Sequence, residues 1–166
     1  MLFRSNWCYR DSTKYCAQYG RLYSWGAAMD SVTTGCGYGN TCTASAGRVQ
    51  GVCPNGWHLP DSTEWETLFA SIGGISTAGT MLKSTSGWNS NGNGTDTFGF
   101  SALPSGHRRD DGSVRYISNN AHFWSSSVNN RYRAYNMYLY GVASARLYND
   151  DANSIDYGYA VRCLRD

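Results

Sequence analysis

The sequence predicts an α+β domain: two helices in the first half and a mostly antiparallel sheet in the second. Three observations carry this prediction. Apolar residues fall at helical spacing in two early segments, short β-type runs crowd the second half, and the charged residues are of an unusual kind. Charged residues make up 16% of the 166, against roughly 25% in ordinary soluble domains. Lys occurs only at Lys14 and Lys83, and Glu only at Glu64 and Glu66, so nearly all charge is Arg and Asp. Lys and Glu suit solvated helix faces, whereas Arg, with the abundant Tyr, suits contact surfaces. The net charge of +2 carries no basic run, which excludes a polybasic nucleic-acid tail. No apolar run approaches the roughly 20 residues of a membrane helix. With 41% hydrophobic and 14% aromatic residues the chain can bury a core, and no linker or repeat divides residues 1–166, so a single domain is expected.

Taken in order, Leu22, Trp25, Ala28, Met29 and Val32 predict a first helix over 22–31, closed by the glycines of 35–39. Residues 33–47 are small and polar and read as a loop. The second helix has the clearest start: Asp61 as N-cap, with Glu64 placed for a capping box. Trp65, Leu68, Phe69 and Ile72 line its inner face, and Gly73-Gly74 ends it. Residues 84–96 are almost wholly Ser, Gly, Asn and Thr around Trp88, a long loop. Strands are expected over 98–103, 114–117, 122–126, 133–140, 143–148 and 158–164, with Asp111-Gly112 as a hairpin turn.

The six cysteines point to disulfides and an oxidising compartment, hence a secreted or surface-displayed protein. Spacing favours Cys8–Cys16 and Cys36–Cys42 as small loops, with Cys53–Cys163 tying the middle of the chain to its end. No C-x2-C pair occurs, and His58, His107 and His122 are not spaced as zinc ligands. No signal peptide is visible, and the first residues read as an added start on a mature domain.

Several motifs carry a family resemblance. Cys8-Tyr9, then Cys16-x-x-Tyr19-Gly20-Arg21-Leu22-Tyr23-x-Trp25, resembles the opening of the Fibrobacter succinogenes major paralogous domain family. So do Cys53-Pro54-x-Gly56-Trp57-His58-Leu59-Pro60 with Glu64-Trp65, and Leu82-Lys83-Ser84-x-x-Gly87-Trp88. The series continues through Phe98-Gly99-Phe100-Ser101-Ala102-Leu103-Pro104 and Phe123-Trp124-Ser125-Ser126 to Tyr159-x-Val161-Arg162-Cys163. Parts of the set are also similar to the formylglycine-generating enzyme group. The resemblance implies a C-type-lectin-like fold. It does not carry an activity with it, because that group's oxidase chemistry uses a reactive cysteine pair and the six cysteines here read as structural. The Glu-Pro-Asn, Gln-Pro-Asp and Trp-Asn-Asp tripeptides of calcium-dependent lectins do not occur.

The remaining polar clusters have plain readings. Asn89-x-Asn91-x-Asn93-Gly94 imitates the start of a calcium loop but lacks its carboxylates, so a turn is expected. Asp150-Asp151 with Asp156 reads as a solvated loop. His107 through Asp110 reads as a surface turn entering a hairpin, and His58 as a hydrogen-bonded core residue. No metal, cofactor or catalytic group is expected.

The stretch 128–157 carries the functional expectation. Period-two alternation puts Tyr135, Met137 and Leu139 on one face, and Asn136, Tyr138 and Tyr140 on the other. Ser144, Arg146 and Tyr148 extend the second face. Tyr, Arg, Ser and Asn are the vocabulary of antibody contact loops. The expected ligand-binding set is Arg131, Tyr132, Arg133, Asn136, Tyr138, Tyr140, Ser144, Arg146, Tyr148, Asp150, Asp156 and Tyr157. The stretch also resembles the variable region of retroelement-diversified proteins. Substitution at adenines of Asn-type codons there cannot yield Lys, Gln, Glu, Met or Trp, and across 129–157 only Met137 departs from that rule. The expected function is non-catalytic recognition of a protein or glycan on a cell or phage surface, without nucleic acid or membrane insertion. The alternatives are a polysaccharide-binding module with Trp88 as its platform, an oxidase of the formylglycine-generating kind, and a purely structural surface module.

Overall fold

The computed structural model describes residues 6–40, 42, 47–148 and 155–166. Strand β1 (Asn6–Trp7) pairs with β2 (Leu22–Tyr23) around helix α1 (Thr13–Tyr19), and the Cys8–Cys16 disulfide closes this unit. Two short helices follow, α2 (Trp25–Ala28) and α3 (Ser31–Thr34). The single helix expected over 22–31 is therefore corrected. Ser24 caps α2 by accepting from Ala27 N, and Asp30 sits at φ 51, a left-handed conformation that breaks the helical run.

Strand β3 (Trp57–His58) precedes helix α4 (Ser62–Ser71), whose capping box is formed as the sequence predicts. Asp61 Oδ1 accepts from Glu64 N at 2.8 Å, and Asp61 N donates to Glu64 Oε2 at 3.0 Å. The Glu64 carboxylate also meets His58 Nε2 at 3.0 Å, while His58 Nδ1 lies 2.6 Å from Asp166 Oδ1. The buried imidazole thus ties the helix start to the C-terminus, where β9 (Leu164–Arg165) pairs with β3.

Helix α5 (Ile75–Leu82) was not expected. It leads into the irregular 83–106 region, where Lys83 bridges Ala102 and Gly106 bridges Ala121 in place of the strand expected over 98–103. Trp88 is buried there, its indole N–H donating to Ser84 Oγ and Ala102 O, so it is a core residue and no stacking platform. Asn93 Oδ1 accepts from Trp88 N, which fixes the Asn-rich turn.

Strands β4 (His107–Arg108) and β5 (Val114–Arg115) form the hairpin expected around Asp111-Gly112. The main sheet is β6 (Ala121–Asn130), β7 (Arg133–Leu139) and β8 (Ala145–Tyr148), antiparallel with β7 central. Residues 158–160 link three sheets, with Gly158 bridging Arg108 of β4, Tyr159 bridging Tyr23 of β2 and Ala160 bridging Phe123 of the main sheet. Cores lie on both sides of this sheet. On the helix side Phe123, Met137, Leu139 and Ala145 meet Trp65, Phe69 and Leu82. On the other side Trp124, Ala134 and Tyr159 join Trp25, Met29 and Leu59. The fold is α+β, and all six cysteines are paired as spacing favoured, with Cys36–Cys42 and Cys53–Cys163 completing the set.

Candidate ligand-binding face

The sheet register decides which side chains stand together. Tyr138 lies opposite His122 on β6 and Arg146 on β8; Asn136 lies opposite Trp124 and Tyr148. These residues share the face away from α4 and α5, and the C-terminal stretch covers only part of it. Near the Trp124 end Tyr159 packs on His122 and Trp124, and Asn136, opposite Trp124, is fully buried. The Asn136 amide meets His122 Nδ1 at 3.0 Å. Asn136 is thus removed from the open surface: alternation assigned its side of the sheet correctly but not the cover on that side.

Beyond this cover the face is open, and five of the expected residues meet there. Tyr138 and Tyr140 stack in parallel, with ring centroids 5.0 Å apart and planes 9° apart. Tyr148 sets its edge against Tyr138 at 5.5 Å. The Arg146 guanidinium stands 5.7 Å from the Tyr140 ring and 5.8 Å from the Tyr148 ring, and donates to Tyr148 Oη at 3.0 Å. Ser144 Oγ lies 3.5 Å from Tyr140 Oη. The guanidinium and the Ser144 hydroxyl hold the Tyr140 phenol below its ordinary pKa, with the Ser144 hydrogen bond the larger cause. Burial, then the neighbouring tyrosines, pushes Tyr138 up to about 12, so it remains a hydrogen-bond donor across the physiological range.

A column of rings supports Tyr138 from below. His122 stacks on it at 4.4 Å, Tyr159 on His122 at 4.5 Å, and Trp124 against Tyr159 at 4.3 Å. His107 meets His122 edge-on at 5.1 Å, with Tyr157 stacked on His107 at 5.9 Å and Tyr116 at 5.6 Å. Burial, aided by Arg109 and Arg115, pulls His107 down to about 4; burial and His107 pull His122 down to about 3. His107 Nδ1, His122 Nε2 and Asn136 Nδ2 are buried without a hydrogen-bond partner among the described residues. The surface turn expected at His107 is corrected: it opens the hairpin, but it is 7% exposed.

Tyr116 was missed from the sequence. It is 52% exposed, rims this face through its contact with His107, and sits at φ 59, where bulky residues are rarely held.

Of the rest of the expected set, Tyr157 joins the ring cluster through His107, and the hairpin-tip residues lie apart. Arg131 and Tyr132 form the tip of the β6–β7 hairpin, where Tyr132 packs against Tyr38 at 5.1 Å and Gly39 N donates to Arg131 O. Extended chain of this length puts that tip roughly 26 Å from Tyr140. Arg133 shares register parity with Met137, not Tyr138. Asp156 is half-buried, and burial together with Asp110 raises its pKa. Asp150 lies outside the described residues.

Helix α5 sets the turn that carries Tyr140 and Ser144. A Cβ on Gly79 would come within 2.4 Å of Ala143 O, so only glycine permits the approach. Thr80 N donates to Ala143 O, and the buried Lys83 ammonium donates to Tyr140 O and Val142 O, each at 3.0 Å. Lys83→Met is expected to destabilise the domain by about 1.5–3 kcal/mol, because it orphans both carbonyls. Urea unfolding tests this, and an unchanged midpoint would show that the turn holds itself.

Over residues 3–165 the chain matches the Fibrobacter succinogenes major domain. It belongs to that family. No curated protein and no solved structure matches it.

Proposed function

We propose that this Fibrobacter succinogenes major domain is a non-catalytic recognition module of C-type-lectin-like fold, working outside the cell. Its open sheet face binds a protein or glycan displayed on another surface. One observation carries the reading: the guanidinium of Arg146 held between the Tyr140 and Tyr148 rings, with Tyr138 stacked alongside on a buried ring column. Tyrosines left at a surface gain little from folding. Locked against one another, they lose little entropy when a partner covers them, the condition that favours tight contact. Three disulfides fit an oxidising, extracellular setting. No helix among the described residues is long and apolar enough to cross a membrane. Engagement of all six cysteines weighs against an oxidase using a free thiol pair. Retroelement diversification is consistent with the grouping of Tyr138, Tyr140, Ser144, Arg146 and Tyr148 on one open face, where exchange leaves the core untouched.

The test is a glycan array and a panel of intact bacterial cells, probed with wild type and with Tyr148→Ser and Arg146→Ser. Both variants are expected to melt close to wild type while losing at least tenfold in binding to whichever target wild type retains. Retained binding in both variants would move the site elsewhere.

A further inference from the structure

A second cavity, sharing no residue with the tyrosine face, has a different chemistry. It encloses about 350 Å³, within the roughly 300–1,000 Å³ of small-molecule sites. Tyr19, Arg21, Tyr23, Ser101, Ser105 and Arg162 supply its functional lining, and none of the described residues lining it is acidic. Arg162 lies half-buried, its guanidinium 4.5 Å from the Phe100 ring and 5.9 Å from the Phe123 ring. Aromatic faces hold the cation but offer its fork of N–H donors no oxygen. Asp96 acts on Arg162 by charge but spends its hydrogen bonds on Ser101: Ser101 N donates to Asp96 Oδ1 at 2.6 Å and Ser101 Oγ donates to Asp96 Oδ2. Among the described residues the partner of Arg21 is neutral: it donates to Asn6 Oδ1 at 2.7 Å. Two arginines thus line one cavity without a carboxylate hydrogen-bonded to either among the described residues.

We propose that this cavity binds the carboxylate of a uronic acid. A carboxylate accepts two parallel N–H bonds from a guanidinium fork, the strongest neutralisation open to Arg162. Tyr19 and Tyr23 provide ring faces for a pyranose, and Ser101 and Ser105 provide hydroxyls for its polar rim. A peptide C-terminus is captured in nests of backbone N–H groups. The charges here are instead on side chains flanked by aromatic walls, which favours the sugar acid.

The experiment is an amide-resolved NMR titration with three probes: galacturonic acid, its methyl ester and N-acetylglycine. Galacturonic acid is expected to shift amides of residues 19–23 and 101–105, and the ester and N-acetylglycine to bind at least tenfold more weakly. Arg162→Met and Arg21→Met should each weaken galacturonate binding at least tenfold, whereas Arg146→Ser leaves it unchanged. Should Arg162→Met fail to fold, exposed Arg21 and the conservative Arg162→Lys keep the test in place, the latter with partial loss. Absence of galacturonate binding, equal binding of the ester or of N-acetylglycine, or full affinity in Arg21→Met would each overturn the proposal.

Discussion

Replacing Cys53 and Cys163 together by Ala is expected to remove about 5 kcal/mol of stability. The link spans 110 residues, against 8 for Cys8–Cys16 and 6 for Cys36–Cys42. Loop-closure entropy removed from the unfolded chain grows with that span, so the two short links contribute only about 2 kcal/mol each on the same account. The long link also guards a small assembly. Cys53 is buried in the core that Cys163 abuts, and β9 beside it is a strand of two residues on β3. His58 joins Asp166 to Glu64 at the same place. For a chain of this length each kcal/mol moves the melting temperature by about 2–4 °C, so the double variant should melt roughly 10–20 °C lower. Thermal melts of the three double-Ala variants check the order. If the Cys53/Cys163 variant melted no lower than the Cys8/Cys16 variant, the ladder and core would be holding the terminus without covalent help.

What the sequence disclosed and what it hid divide along a physical line. The α4 capping box, the Asp111-Gly112 hairpin and the strand alternation of β7 and β8 are local, and each was legible. Cys53 pairs with Cys163 because two short loops use up the other four. Helix α5 was hidden because its residues, Ile75 to Leu82, include Gly and three Ser or Thr. Weak propensity is overridden there by Gly79 packing on the β7–β8 turn. The same limit applies to the candidate face. Alternation names the side of a sheet but not what crosses over it, so Asn136 was placed with Tyr138 although Tyr159 covers that end. Tyr116 and His107 reach the face from a hairpin more than twenty residues away in sequence, and no periodicity of 128–157 could announce them.

Acid is expected to unfold the domain well before its carboxylates are all protonated, through His107 and His122. Both titrate near 6.5 in the unfolded chain; folding brings them to about 4 and about 3. Burial is the main cause in each, with Arg109 and Arg115 acting on His107, and His107 acting on His122. Only the Asn136 hydrogen bond favours the charged form of His122. Above pH 6.5 both states hold neutral imidazoles, and the pair makes no difference to stability. Below it the unfolded histidines take up protons that the folded ones refuse, so the unfolded state gains. By about pH 4.5 the loss is about 2–3 kcal/mol per histidine, or about 5 kcal/mol together. That equals the lower end of the 5–15 kcal/mol typical of whole domains. Other groups modify the slope. Asp96 and Asp111, held low by Ser101 and Ser113, lose their contribution only as pH falls through their folded values. Asp156, raised by burial, works in the opposite direction and eases slightly on protonation. The measurement is the urea midpoint from about pH 7 to about pH 4.5, which should fall steeply in wild type. His122→Gln, which can keep the bond to Asn136 but cannot titrate, and His107→Phe should each flatten the dependence by about half. A midpoint flat across this range in wild type would mean that both imidazoles accept protons in place. Because His122 is the ring on which Tyr138 rests, loss of order should reach the tyrosine face first, seen as loss of the assigned Tyr138 ring signals in NMR ahead of the main transition.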